Sequence, residues 1–364
     1  MDVRRTGPGL ALGAAVLFGL SAPAAKRLAG AVDPWLLAGL LYLGSGVGLS
    51  LYRLIGRLLG SAAREAPLAR RDLPWLAGAI AMGGVIGPVL LMYGLAAGTA
   101  VQSSLLLNLE GVFTALVAWS VFREHFDARI AIGMAAIAVG AGTLAWNPSE
   151  AFALEGSALL VTAAGLAWAI DNNLTRMVSG GDPLQIAALK GLAAGSINVL
   201  LATAQQAPWP RPAVIVSTGV VGFLGYGTSL VLFVLALRVL GSARTGAYFS
   251  TAPFVGAIAA AVALREPLNG RTFLAAILMG TGVWLHLTER HHHEHQHEAL
   301  EHTHAHVHDE HHRHSHAPGT PPGEPHSHAH VHEPLRHGHP HFPDLHHRHH
   351  HSGFLFPRRP TARP

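Results

Sequence analysis

Residues 103–126 read SSLLLNLEGVFTALVAWSVFREHF, and residues 245–268 read TGAYFSTAPFVGAIAAAVALREPL. The two stretches align without a gap. Arg123-Glu124 falls on Arg265-Glu266, 142 positions later. Each is long and apolar and ends at the same Arg-Glu pair, so the chain reads as a duplicated membrane unit. If each unit holds an odd number of spans, the two copies lie in the bilayer with opposite orientations. That arrangement is typical of secondary transporters, with the site near the midplane between the repeats.

Working outward, the 364 residues are 50% hydrophobic and 13% charged, against about 25% charged in an average soluble domain. Up to residue 288, apolar runs of roughly 20 residues follow one another, each long enough to cross about 30 Å of hydrocarbon. The 41 glycines suit close helix–helix approach in lipid. The chain has no cysteine, which excludes disulfides, thiolate metal sites and a cysteine nucleophile. Leu10–Leu20 is followed by a small-residue stretch, but apolar character resumes at once, so it reads as a first span and not a cleaved signal.

The pattern predicts an all-α membrane protein of ten helices. They lie at about 8–28, 34–57, 73–96, 99–121, 129–146, 155–178, 184–205, 213–237, 243–264 and 270–288. Pro, Gly and charged residues punctuate the gaps, as at Asp33-Pro34, Asn147-Pro148 and Gly180-Gly181-Asp182-Pro183. Five spans fall in a first repeat, 1–147, and five in a second, 148–288, which is a 5+5 inverted-topology repeat. With the N-terminus inside, the inner segments carry Arg4, Arg5, Arg53, Arg57, Arg64, Arg70, Arg71, Arg123, Arg129, Arg176, Arg238 and Arg244. The outer segments carry only Lys26, Arg27, Arg211, Arg265 and Arg271. That imbalance predicts both termini in the cytoplasm, in a multi-pass protein of a bacterial inner membrane.

Polar side chains in a span are costly and usually face the bundle interior, a partner or water. Glu110, beside Asn108 in the fourth span, is the most isolated carboxylate of the body. It suits a substrate or proton site in a central cavity, or a structural hydrogen bond to a neighbouring helix. Asp171-Asn172 lies in the sixth span and Lys190 in the seventh. At 1.5 Å per residue, Asp171 and Lys190 sit roughly 9–12 Å from the same membrane face, at matching depth. They are expected to form an ion pair, either static or broken during a transport cycle. Trp168 and Tyr248, nearer the middle of their spans, could line a pocket for an organic solute. Pro253 in the ninth span can kink its helix.

From Glu289 to Pro364 the chemistry changes. Of the 27 histidines, all but His125 and His286 lie here, 25 in number, mixed with Pro, Glu and Asp. Such a segment buries too little apolar surface to offset its ordering entropy, so 289–364 is expected to be a disordered cytoplasmic tail. Its alternating histidines include His291, His293, His295, His302, His304, His306, His308, His311, His314 and His316. They could bind a divalent metal, zinc, nickel or cobalt, at several interchangeable sites. The body needs no cofactor. It shows no Walker-type phosphate loop, nucleophile elbow or catalytic set, so the chain is not read as an enzyme.

The stretch Ser103–Phe126 resembles the signature of EamA-type permeases of the drug/metabolite transporter superfamily. There a Leu-Glu-Pro-Val-Phe-type core precedes an acidic residue at the helix exit. The counterparts here are Leu109-Glu110-Gly111-Val112-Phe113 and Glu124, with Gly111 in place of the usual proline. The second copy keeps Pro253 and lacks the glutamate. Leu17-Phe18-Gly19 and Ala167-Trp168-Ala169 resemble the aromatic positions at the repeat starts. Over residues 8–288 the resemblance implies ten helices, a 5+5 inverted repeat, a central cavity and alternating access for a small metabolite. The tail lies outside that pattern and is similar to histidine-rich segments of metal transporters. Three functional readings stay open: a metabolite permease, a nickel, cobalt or zinc exporter, and a membrane-tethered metal buffer or sensor. Expected partners are the lipid bilayer, a small-molecule substrate and a second copy of the chain, with no nucleic acid.

Overall fold

The computed structural model describes residues 3–59, 68–122, 128–146, 155–178 and 181–288, and in the tail 292–296, 300–306, 326–332 and 336–340. Arg123-Glu124, which marks the duplication in the sequence, and His125 lie outside the described residues.

Short polar signals start the helices. Asp33 begins α2 (Pro34–Leu58): its Oδ1 accepts from the amides of Trp35 and Leu36 at 2.9 and 3.2 Å. Asp182 begins α9 (Pro183–Ala204) in the same way, accepting from Leu184 and Gln185 at 2.9 and 3.2 Å. In both, the proline occupies a first-turn position whose missing N–H costs nothing. Asp182 also pairs with Arg53 of α2 at 2.8 Å.

Before α2 comes α1 (Val3–Ala29). The next span is composite: α3 (Leu73–Ala79), a π-helical segment Ile80–Ile86, and α4 (Gly87–Ala97). Then come α5 (Ala100–Leu106) and α6 (Leu109–Phe122), separated by a turn at Leu107-Asn108, and α7 (Ala128–Ala145). The second half opens with α8 (Gly156–Val178) and α9. It continues as α10 (Pro212–Gly222), a second π-helical segment Phe223–Thr228, and α11 (Ser229–Phe249). It closes with α12 (Ala252–Ala263) and α13 (Gly270–Leu287). The two π-helical segments recur at the spacing that relates Arg123 to Arg265, with Gly83 answering to Gly225.

Seven stretches are long and apolar enough to cross a membrane, with Ala252–Ala263 and Gly270–Leu285 as shorter apolar helices. The expected ten spans are thus met only in part. The last third of α8 carries Asp171, Asn172, Asn173 and Arg176, which dilute its apolar content. The sequence predicts a break between 237 and 243, but α11 runs through to Phe249, and the chain turns instead before Pro253 in the first turn of α12. A lone Gly241 does not stop a helix, whereas proline readily begins one.

Packing joins the halves. The most extensive helix contacts are α2 with α9, α7 with α13, and α1 with α11 and α12; α8 packs on α4 and α6. Each pair takes one helix from either side of residue 147. Glycine lets the backbones touch: a Cβ on Gly191 of α9 would lie 2.5 Å from the Gly46 nitrogen of α2, and one on Gly19 of α1 would lie 2.5 Å from the Ala252 carbonyl oxygen. Large apolar side chains such as Leu200, Val216, Ile258, Val262 and Ile277 point outward, as a lipid-facing surface requires.

Among the described tail residues there are four strands. His292–Gln296 pairs antiparallel with Arg336–Pro340, and Leu300–His306 with His326–His332. Histidine on alternate residues has the two-residue period of a strand.

Candidate functional site

The π-helical segment Ile80–Ile86 is the keystone of the interior. In such a segment the hydrogen bonds skip an extra residue, and backbone carbonyls are left for other donors. The carbonyl of Gly83 accepts from the Tyr42 hydroxyl at 2.6 Å and from Trp168 Nε1 at 2.9 Å. The next carbonyl, Gly84, accepts from Asn198 Nδ2 at 2.9 Å. Three helices, α2, α8 and α9, are thereby tied to one bulge.

Against the same bulge lies an ion pair. Lys190 Nζ sits 2.6 and 2.8 Å from the two carboxylate oxygens of Asp171 and donates to Thr175 Oγ1 at 3.1 Å. Thr175 in turn donates to Asp171 at 2.8 Å. Both charged residues are buried. A side chain at Gly83 would overlap the Asp171 carboxylate, so the glycine leaves room for the charge.

Glu110 lies in the first turn of α6, directly after the Leu107-Asn108 break. Its Oε1 accepts from Asn172 Nδ2 at 2.7 Å, and the same amide reaches Thr114 Oγ1 at 3.4 Å. Asn173, beside it, donates to the carbonyls of Ala169 and Thr114 at 2.9 and 3.3 Å. Asn172 is exposed, and Glu110 is half-buried. Gly165 of α8 faces the start of α6, where a Cβ would make an ordinary van der Waals contact of 3.5 Å with the Glu110 nitrogen.

A small cavity lies nearby, with room for about one water molecule. Phe18, Ser21, Ser104, Leu107, Tyr226 and Pro253 are among its walls. Phe18 meets Trp168 and Tyr226 edge-on, at centroid distances of 5.8 and 5.9 Å.

The sequence-selected residues therefore separate into groups. Glu110 with Asn172, and Asp171 with Lys190, meet as pairs, and Trp168 lies between the Gly83 carbonyl and Phe18. Asn108 is buried in the break, donating back to the Leu105 carbonyl at 3.0 Å, and supports the turn. Tyr248 is half-buried near the end of α11 and is not among the cavity walls. Of the tail residues, His293, His295, His302, His304 and His306 fall on strands; His291, His308, His311, His314 and His316 lie outside the described residues. Tyr42, Gly83, Thr114, Thr175 and Asn198 escaped the sequence reading, although an Asn and a Tyr inside spans are signals of the kind used for Asn108 and Tyr248.

The pattern described as the EamA-like transporter family matches residues 5–146 and again residues 156–288. The chain belongs to this family. It is a multi-pass membrane transporter, and each half of the body carries one match. A transporter of Methanothermobacter thermautotrophicus, described only as uncharacterized, is 28% identical over 286 residues, covering 75% of this chain and 83% of its own. A protein of known crystal structure, 18% identical, superposes with a TM-score of 0.57 over 77% of this chain and 95% of its own, a likeness of fold alone.

Proposed function

We propose that the protein is a secondary transporter that moves a small metabolite by alternating access, with Glu110 at its centre. Ten spans in a 5+5 inverted repeat, 1–147 and 148–288, form the carrier in the bacterial inner membrane, and both termini are cytoplasmic. The recurrence of π-helical segments and Asp-Pro helix starts in both halves supports this arrangement. The observation that carries the reading is the hydrogen bond of Glu110 in α6 to exposed Asn172 in α8. It joins the two family-matched halves at a polar point inside the membrane body. A carboxylate held there by one neutral amide keeps acceptor capacity for a substrate or a proton. Asp171, by contrast, is committed to Lys190 and Thr175. Trp168 and Phe18 supply apolar contact for an organic body.

The histidine tail 289–364 is proposed to bind zinc, nickel or cobalt and to serve as an accessory to the carrier. The register that sets His302 opposite His330, His304 opposite His328 and His306 opposite His326 favours it. Export of the metal itself is the weaker reading, because Glu110 and Asp171 have separate partners and form no carboxylate cluster. Flux measured in reconstituted vesicles tests both. Glu110→Gln should slow counterflow of amino acids and related metabolites about tenfold or more, and a chain ending near Glu289 should keep it. Metal flux that needs Glu110 would replace the first reading with the second.

A further inference from the structure

We propose that Glu266 is a releasable clasp that shuts the transport pathway at the membrane face opposite the N-terminus. The inference rests on the carrier reading above and adds to it a gate and the residue that holds it.

Glu266 follows α12 and reaches across to the first turn of α5. Its Oε1 accepts from the Ala100 amide at 2.9 Å, and its Oε2 from the Val101 amide at 2.8 Å. Each of these amides is buried, and at a helix start each lacks an intrahelical partner. A carboxylate on two such amides makes charge-assisted bonds, stronger than neutral ones. The turn that aims Glu266 is itself unusual. Arg265 has a φ of 55°, the left-handed conformation found just past a helix end and usually given to glycine. A bulky residue held there is a sign of a functional constraint.

Further ties surround the clasp on the same face. Lys26 Nζ donates to the carbonyls of Leu95 and Gly98, both at 2.6 Å, and so fixes the turn just before α5. Gln102 Nε2 donates to the Leu144 carbonyl at 2.7 Å and to Glu155 Oε2 at 2.8 Å. Arg271 donates to the carbonyls of Thr143 and Trp146. The contacts of Glu266, Arg271 and Glu155 each join one half of the body to the other. One turn beyond Ala100 lies Ser104, whose buried Oγ has no hydrogen-bond partner among the described residues and which lines the small cavity. The clasp therefore sits directly over the cavity wall. When Glu266 lets go, the first turn of α5 keeps only the ties of Lys26 and Gln102, and the cavity opens more readily to that face.

The chain lacks cysteine, so Ser104→Cys provides a single thiol inside the gate. The reporter is treated with a membrane-impermeant maleimide from either side of reconstituted vesicles. With Glu266 intact, labelling from the face opposite the N-terminus should be slow. Glu266→Ala should speed it at least about tenfold, in keeping with the loss of charge-assisted bonds. Glu266→Gln, which keeps one carbonyl acceptor, should fall between. Arg265→Gly leaves the clasp in place and should label like the unaltered chain. Unchanged labelling in both Glu266 variants, with monodisperse protein, overturns the clasp and leaves the carrier reading standing. Rapid labelling from both faces with Glu266 intact overturns the carrier reading, and the clasp with it.

Discussion

The ammonium of Lys190 lies within 2.8 Å of both carboxylate oxygens of Asp171, on sequential helices, with Thr175 bonded to each partner. Both charges are withdrawn from solvent, so neither can lose the other cheaply. Removing one partner of a buried ion pair costs about 3–5 kcal/mol, whereas replacing both by uncharged residues of similar size is often neutral. Lys190→Met and Asp171→Asn should each lower the detergent melting temperature, and the double variant should recover most of the loss. Transport decides what the pair is for. A double variant that melts normally and carries substrate normally marks a static strut; one that melts normally and carries none marks a pair that breaks in each cycle.

Glu110 is the one described acid inside the α5–α6 span, and Asn172 holds it by a single bond of 2.7 Å. Glu110→Gln preserves the shape and removes the charge. Substrate flux should drop about tenfold or more, matching the loss of one charged hydrogen bond of roughly 1.5–3 kcal/mol. The melting temperature should stay near that of the unaltered chain. A glutamine variant that transports at the full rate would return Glu110 to the role of a helix-packing residue.

Two glycines should behave in opposite ways. Gly83 has the Asp171 carboxylate where a Cβ would go, so Gly83→Ala must displace the ion pair or the bulge and should cost at least about 1–3 kcal/mol. Gly142 of α7 has nothing within 4 Å, so Gly142→Ala should be neutral or gain up to about 1 kcal/mol from helix propensity. Unfolding in a denaturant series, one variant beside the other, is the check. Equal effects would show that the contact at Gly83 is slack.

A chain ending near Glu289 should lose its zinc, nickel and cobalt binding in calorimetric titration and keep its metabolite flux. Retained high-affinity metal binding in the shortened chain would place the metal site in the membrane body.

Much of this was readable beforehand, for physical reasons that differ by residue. Asp33-Pro34 and Asp182-Pro183 announce helix starts because capping is local and depends on residue type. The Asp171–Lys190 pair followed from depth, since two charges nine or so ångströms into lipid need each other. Glu110 and Asn172 were each legible as costly polar residues, but their meeting across 62 positions depends on how α6 and α8 cross. The π-helical segments were not legible, because the released carbonyls of Gly83 and Gly84 reflect a backbone register and not a side-chain signature. Glu266 was visible only as a repeat marker. Its function arises from the left-handed turn at Arg265 and from two amides that sequence places 165 and 166 positions away. The uninterrupted α11 is a further case where a local rule named the wrong competitor.

The seams of this molecule run between its halves, α2 against α9 and α7 against α13. Neither half alone would match its own glycine-lined and polar contact faces, and each would be left searching for the missing mate. Two genes, one for each half and read in the same cell, should rebuild a working carrier; either gene by itself should yield only fragments for the membrane proteases. The covalent link between the halves is then a matter of guaranteed partnership, and the shape itself is written in the facing surfaces.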